Sequence, residues 1–232
     1  MNSKRKNEIM QAREKIEAAE HPLKIAALSA NLAFSAVTEN ALDRSKIALV
    51  WEGADASRQV FSFFEIEQTS NRVANVLNDL GTIRGDRVFT LMNRQPALYA
   101  AIPAILKTGA AAAVLFTDFG AEAIRQRIED AGAKILIAES ENLNKIAAIC
   151  EHLPTLEHIL IVGEFDREML PKCPAQFHDF DALVGNASAE FAAADVSPKE
   201  EFALRRIYSV GEPLNPEVIT LGGTNLRRRS FR

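Results

Sequence analysis

The chain has 232 residues, 47% of them hydrophobic and 25% charged, with a formal net charge of −4 at pH 7. These values exclude a wholly disordered chain, a collagen-like chain and a coiled coil, and leave apolar material for one sizeable core. No apolar run reaches the ~18 residues of a membrane span, and the N-terminal MNSKRKNEIMQAREKIEAAE lacks the apolar stretch of a secretory signal, which predicts a cytoplasmic protein.

Residues 4–20 read as a charged helix that Pro22 breaks, and a second helical stretch runs roughly from Asn31 to Leu42, with Leu32, Phe34, Val37 and Ala41 on one face. Short apolar strands and amphipathic helices then alternate. Ile47–Trp51 and Gln59–Ser62 are strand candidates. Ser62 is placed to cap a helix starting at Phe63 or Phe64, with Ile66, Val73, Val76, Leu77 and Leu80 on its buried face and Gly81 at its end. Arg84-Gly85-Asp86 is turn chemistry before the strand Arg87–Met92. Pro96 opens a helix carrying Tyr99, Ile102, Ile105 and Leu106 to Gly109. Ala112–Phe116, Lys134–Ala138 and His158–Val162 complete the strands, with helices predicted over Ala121–Ala131 and Asn142–Glu151. Unbroken apolar strands separated by such helices predict an α/β fold, a doubly wound, mostly parallel sheet, with residues 44–163 supplying five strands. Asp166–Pro174 is loop-like, Phe177–Leu183 a short element, and Gly185–Val196 rich in alanine and small polar residues.

Few side chains suggest chemistry. Cys150 and Cys173 form no disulfide framework and no metal quartet, and read as two reduced thiols, Cys150 buried beside Ile146 and Ile149. The four histidines (His21, His152, His158, His178) are scattered, and Asp179 and Asp181 read as a solvated edge. Gly163 has no second glycine at dinucleotide-fingerprint distance. From Glu201 onward six arginines face three glutamates, so this tail carries +3 and residues 1–200 carry −7. Arg227-Arg228-Arg229 has no aromatic interleaving, and no nucleic-acid partner is predicted.

The order of the landmarks Phe61–Glu65, Asn71–Leu77, Arg84–Val88, Ala104–Ala110, Val114–Phe116 and Ala133–Ile137 resembles the first half of the AMP-forming acyl-CoA synthetases. The stretch Leu204–Val218, with Gly211-Glu212-Pro213-Leu214-Asn215-Pro216-Glu217-Val218, is similar to the nucleotide-binding segment of acetyl-CoA synthetase-like enzymes. The resemblance spans about residues 31–219. It implies a parent reaction of ATP, carboxylate and CoA giving acyl-CoA, AMP and pyrophosphate, with ATP/Mg and CoA as the family's small-molecule partners. It also implies that Gly211, Glu212 and Pro213 line the adenine side of the ATP site.

The same resemblance marks departures. The family carries a Ser/Thr/Gly-rich phosphate loop after a short strand, where this chain reads Val196–Leu204, and Leu204-Arg205 runs straight into the Gly-Glu-Pro segment. Lys199, between acidic neighbours, is no substitute. Past Ile219 nothing matches the family's magnesium-placing glutamate, its ribose-binding aspartate or its catalytic lysine. Thr117-Asp118 stands where acetyl-CoA synthetases tend to have glycines beside CoA. The resulting expectation is a helical extension (1–30), an α/β subdomain (31–200), a displaced nucleotide-binding segment (201–219) and an unmatched basic tail (220–232). It amounts to a truncated remnant, inactive alone, with no catalytic or metal residues. The competing expectation is a non-catalytic module that self-associates or docks on a paralogous ligase.

Overall fold

A computed structural model describes residues 31–196 and the backbone of two strands, 201–206 and 218–222. The expected helix at 4–20 lies outside the described residues. So do Gly211, Glu212, Pro213, Lys199 and Arg227–Arg229.

The first described segment is less regular than its periodicity suggests. It forms a π turn, Phe34–Thr38, and a 3-10 turn, Asn40–Leu42. Asn31, Ala33, Val37 and Ala41 are buried in it, whereas Leu32 and Phe34 are only half-buried. The widened π turn shifts the inward face by about one position from that of an ideal helix.

Strands β1 (Ile47–Glu52) and β2 (Arg58–Ser62) pair antiparallel, Val50 opposite Val60 and Trp51 opposite Gln59. They form a separate two-stranded ribbon and not part of the parallel sheet. Their connection is too short for a crossover, so only a hairpin can join them. Ser62 ends β2 and caps helix α1 (Phe63–Asp79). Its hydroxyl accepts from the Glu65 amide at 3.2 Å while the Glu65 carboxylate accepts from the Ser62 amide at 2.7 Å. This reciprocal box satisfies two otherwise orphaned donors and is worth about 1 kcal/mol. It also holds the Glu65 carboxyl below its usual range.

The main sheet has the order β7-β6-β5-β3-β4-β8-β9. Five of its strands, β3 (Arg87–Leu91), β4 (Ala111–Leu115), β5 (Ile135–Glu139), β6 (His158–Val162) and β7 (Gln176–Asp179), are parallel in continuous register. Strand β8 (Glu201–Arg206) joins β4 in parallel through Ala112 and Ala203, and β9 (Val218–Gly222) returns antiparallel to it. The doubly wound α/β prediction therefore holds. Residues 44–163 supply four of the sheet's strands and not five, because β1 and β2 form the separate ribbon, and β7, β8 and β9 come from beyond residue 163.

Helices cover both faces. Against one face pack α1, α2 (Pro96–Lys107) and α5 (Phe180–Asn186), around Val88, Ile135, Ile137 and Leu160. Against the other pack α3 (Ala121–Ala131) and the short α4 (Leu143–Ala147), around Phe89, Leu136, Ile159 and Ile161. Residues on alternate sides of each strand thus enter two separate cores.

Helix α3 has the predicted bounds, and Gly132 stops it in the left-handed conformation at φ 61. Helix α2 is turned from the expected face: Leu98, Ala101, Ala104 and Ile105 are buried, while Tyr99 is exposed. The small Ala101 and Ala104 let α2 lie close to the sheet, with Leu98 and Ile105 filling the space beside them. The expected helix Asn142–Glu151 breaks into α4 flanked by 3-10 turns at Ser140–Asn142 and Cys150–His152. Asp179 and Asp181 are not idle edge carboxylates. Asp179 caps α5, accepting from the Ala182 amide at 2.9 Å, and Asp181 accepts from the Gly163 amide at 2.9 Å.

Two of the four histidines meet. His158 Nδ1 and His178 Nε2 lie 3.0 Å apart across β6 and β7, with ring centroids 5.1 Å apart. Burial, then the neighbouring His158, pushes the His178 pKa below its ordinary 6.5. The neutral form is therefore favoured in the fold. This contribution to stability is fully present above the unfolded value of about 6.5, and is lost as pH falls from there through the lower folded value. Urea unfolding midpoints are expected to drop between about pH 7.5 and 5.5, with a smaller drop in His178→Phe. An equal drop in both proteins would refute the assignment.

Candidate functional site

In open α/β sheets ligands bind outside the carboxyl ends of the strands, where adjacent strands send their connections in opposite directions. Here β3 connects through α2 to β4 on one side, and β5 connects through α4 to β6 on the other. The crevice therefore opens at the ends of β3 and β5, walled by Met92–Gln95 and by Glu139 with the turn after it.

Glu139 bridges the crevice. Its Oε2 accepts from the Asn93 amide at 2.9 Å and from Asn93 Nδ2 at 3.0 Å, and its Oε1 accepts from Gln95 Nε2 at 2.6 Å. Asn93 Oδ1 in turn accepts from Thr117 Oγ1 at 2.7 Å, bringing in the loop after β4, and Lys145 Nζ donates to the Thr117 carbonyl. Trp51 Nε1 donates to the Arg94 carbonyl at 2.7 Å, docking the ribbon on the rim. Burial pushes the Glu139 carboxyl above its usual range; the Asn93 bonds oppose that and nearby Glu141 adds to it.

Beyond the network the end of β4 presents apolar surface. Val114 and Phe116 are 43% and 65% exposed. Phe116 meets Phe119 edge to face at 5.5 Å, and the Arg127 guanidinium lies 4.2 Å over the Phe119 ring.

Chemically the crevice is a rigid polar clamp around one carboxylate, with an aromatic shelf beside it. It does not fit a polyphosphate: Glu139 lies in it, Asp118 on the next loop, and Glu122 in the first turn of α3, where an anion would otherwise be favoured. Among the described residues no group of three metal-ligating side chains converges. Of the residues singled out from sequence, Thr117 enters the network and Asp118 is exposed beside it. Asn93, Gln95 and Glu139 escaped the sequence reading. Their signal was positional, since each is a polar residue at or just past the carboxyl end of an apolar strand.

The AMP-binding enzyme family model matches residues 38–181. The chain belongs to the AMP-binding enzyme family. Among curated relatives, acetyl-coenzyme A synthetase of Bacillus subtilis is 35% identical over 136 residues, 57% of this chain and 23% of that enzyme. The human mitochondrial acetyl-coenzyme A synthetase 2-like protein is 31% identical over 149 residues, 57% of this chain and 22% of that protein. The chain thus spans about a quarter or less of the length of these two relatives. Among solved structures, a Brucella canis acyl-CoA synthetase superposes with a TM-score of 0.70 at 26% identity, over 82% of this chain and 33% of that one. An anthranilate CoA ligase with bound anthranoyl-AMP shares the fold, with a TM-score of 0.69 at 24% identity over 84% of this chain and 34% of that one.

Proposed function

We propose that this chain is part of an AMP-forming acyl-CoA synthetase of the acetate–CoA ligase kind, and that by itself it does not activate a carboxylic acid. The parent reaction joins ATP and a carboxylate to an acyl-adenylate and pyrophosphate, then transfers the acyl group to CoA. The observation that carries the reading is the family match over residues 38–181 in a chain spanning less than a third of the length of its acetyl-CoA synthetase relatives.

Residues 31–200 are the α/β subdomain of that enzyme, preceded by a helical extension (1–30). Residues 201–219 are a displaced nucleotide-binding segment in which Gly211, Glu212 and Pro213 keep the adenine-side motif, and 220–232 a basic tail. The inactivity rests on two features. No Ser/Thr/Gly-rich loop stands between Val196 and Gly211 to donate amides to phosphates. The crevice at the strand ends is instead closed around the Glu139 carboxylate, which disfavours the charge that builds up in phosphoryl-centre chemistry. No helix among the described residues is long and apolar enough to cross a membrane.

The test is exchange of labelled pyrophosphate into ATP by the purified chain with acetate and magnesium. No exchange above the protein-free control is expected. Acetate-dependent exchange would overturn the proposed inactivity.

A further inference from the structure

The sequence holds two cysteines, and the fold brings them together. Cys150 begins the 3-10 turn Cys150–His152 on the crossover from β5 to β6, and Cys173 lies in the segment entering edge strand β7. Both pack on the same core as Ile146, Ile149 and Phe177. The Cys150 thiol points at the Lys172 carbonyl at 3.7 Å, one residue from Cys173, which packs against the same buried cluster. Cys150 is buried and Cys173 half-buried, so only the second is open to a reagent from solvent.

We propose that Cys150 and Cys173 form a reversible intramolecular disulfide that staples edge strand β7 to the β5–β6 crossover. With hydrogen peroxide as oxidant, the Cys173 thiolate attacks a peroxide oxygen, the O–O bond breaks, and a sulfenic acid and hydroxide form. The Cys150 sulfur then attacks the Cys173 sulfur; the S–O bond breaks, the S–S bond forms, and the oxygen leaves as water with the Cys150 proton. A dithiol reductant reverses the step by thiol–disulfide exchange. Burial first, then the hydrogen bond to and charge of Cys173, pushes the Cys150 thiol up to about 12. The second step remains the slow one and quickens as pH rises.

The full chain, treated with hydrogen peroxide and then digested without reductant, is expected to yield a Cys150–Cys173 linked peptide and an intact mass lower by two hydrogens. Because the bond closes a long loop, oxidation is expected to raise the melting temperature by roughly 5–10 °C, reversed by dithiothreitol and absent in Cys173→Ser. Sulfinic acid at Cys173 without a linked peptide, or a disulfide joining two chains through Cys173, would overturn the proposal. The wild-type peptide map decides the matter even if a cysteine variant fails to fold.

Discussion

Replacing Lys107 with methionine is expected to destabilise the fold by about 3–5 kcal/mol, read from urea unfolding. Lys107 ends α2 with a side chain 1% exposed, and its ammonium donates to Glu67 Oε2 at 2.8 Å, Ser70 Oγ at 2.7 Å and Asn71 Oδ1 at 2.6 Å. All three acceptors lie on α1, so the lysine pins α2 to α1 from inside the core. Burial lowers its pKa, and the bond and charge of Glu67 resist that shift. The charge is therefore expensive to hold and more expensive to strand. Methionine matches the length of the stem but leaves Ser70 Oγ and Asn71 Oδ1 without that donor and Glu67 with only the Thr38 hydroxyl, which is the costly case of a half-removed pair. Glu67→Gln is expected to cost less, because Glu67 keeps 17% of its side chain in water and the amide oxygen still accepts from the lysine. If the double variant Glu67→Gln/Lys107→Met lost the full sum of the two single losses, the pair would carry no coupling and the account would be wrong.

The contrast between α3 and Lys107 shows what the sequence could reveal. Helix α3 and β6 match their predicted bounds because their signals are local: a 3.6-residue apolar period closed by Gly132, and an apolar run bounded by polar residues. The capping box at Ser62 and Glu65 is equally local. The partner of β1 is a different matter. Its apolar pattern suits a strand, but membership of one sheet or another depends on distant packing, and the short link to β2 decided it. Lys107 follows Ala100 and Ala104 on the inward face of α2, so its phase was readable. The acceptors that make its burial tolerable are on another helix, and periodicity carries no record of them. Asn93, Gln95 and Glu139 form a site only because the strand order places β5 beside β3. The thiol pair and the histidine pair likewise come from the alignment of crossover and edge strand.

Replacing Asn71 with alanine is expected to cost about 2–4 kcal/mol, since it removes one charge-assisted and one neutral hydrogen bond from a buried site. Asn71 Oδ1 accepts from Lys107, which fixes the amide so that Nδ2 faces outward and donates to the Ala189 carbonyl at 2.9 Å. The neighbouring turns of α1 continue the pattern. Arg72 donates to the Ala187 carbonyl, and Asn75 Nδ2 donates to the Ser188 and Glu190 carbonyls at 2.8 and 2.9 Å. Asn31 Nδ2 holds the Ala194 carbonyl at 3.1 Å, and the Ala194 amide donates to the Lys107 carbonyl at 2.7 Å. The segment 187–196 is thus an irregular strap whose backbone groups are satisfied by side chains of α1 and by α2, which is why small, weakly patterned residues suffice there. It carries the chain from α5 to the far edge of the sheet, where β8 joins β4. Asn71→Asp separates the two roles, because the carboxylate still accepts from Lys107 but faces the Ala189 carbonyl without a donor. In that variant the urea midpoint is expected to stay close to wild type, while limited proteolysis cuts early within 187–196. If Asn71→Asp resisted the protease like the wild-type chain, the strap would be held by something other than the α1 amides, and the docking of β8 on the sheet edge would need another cause.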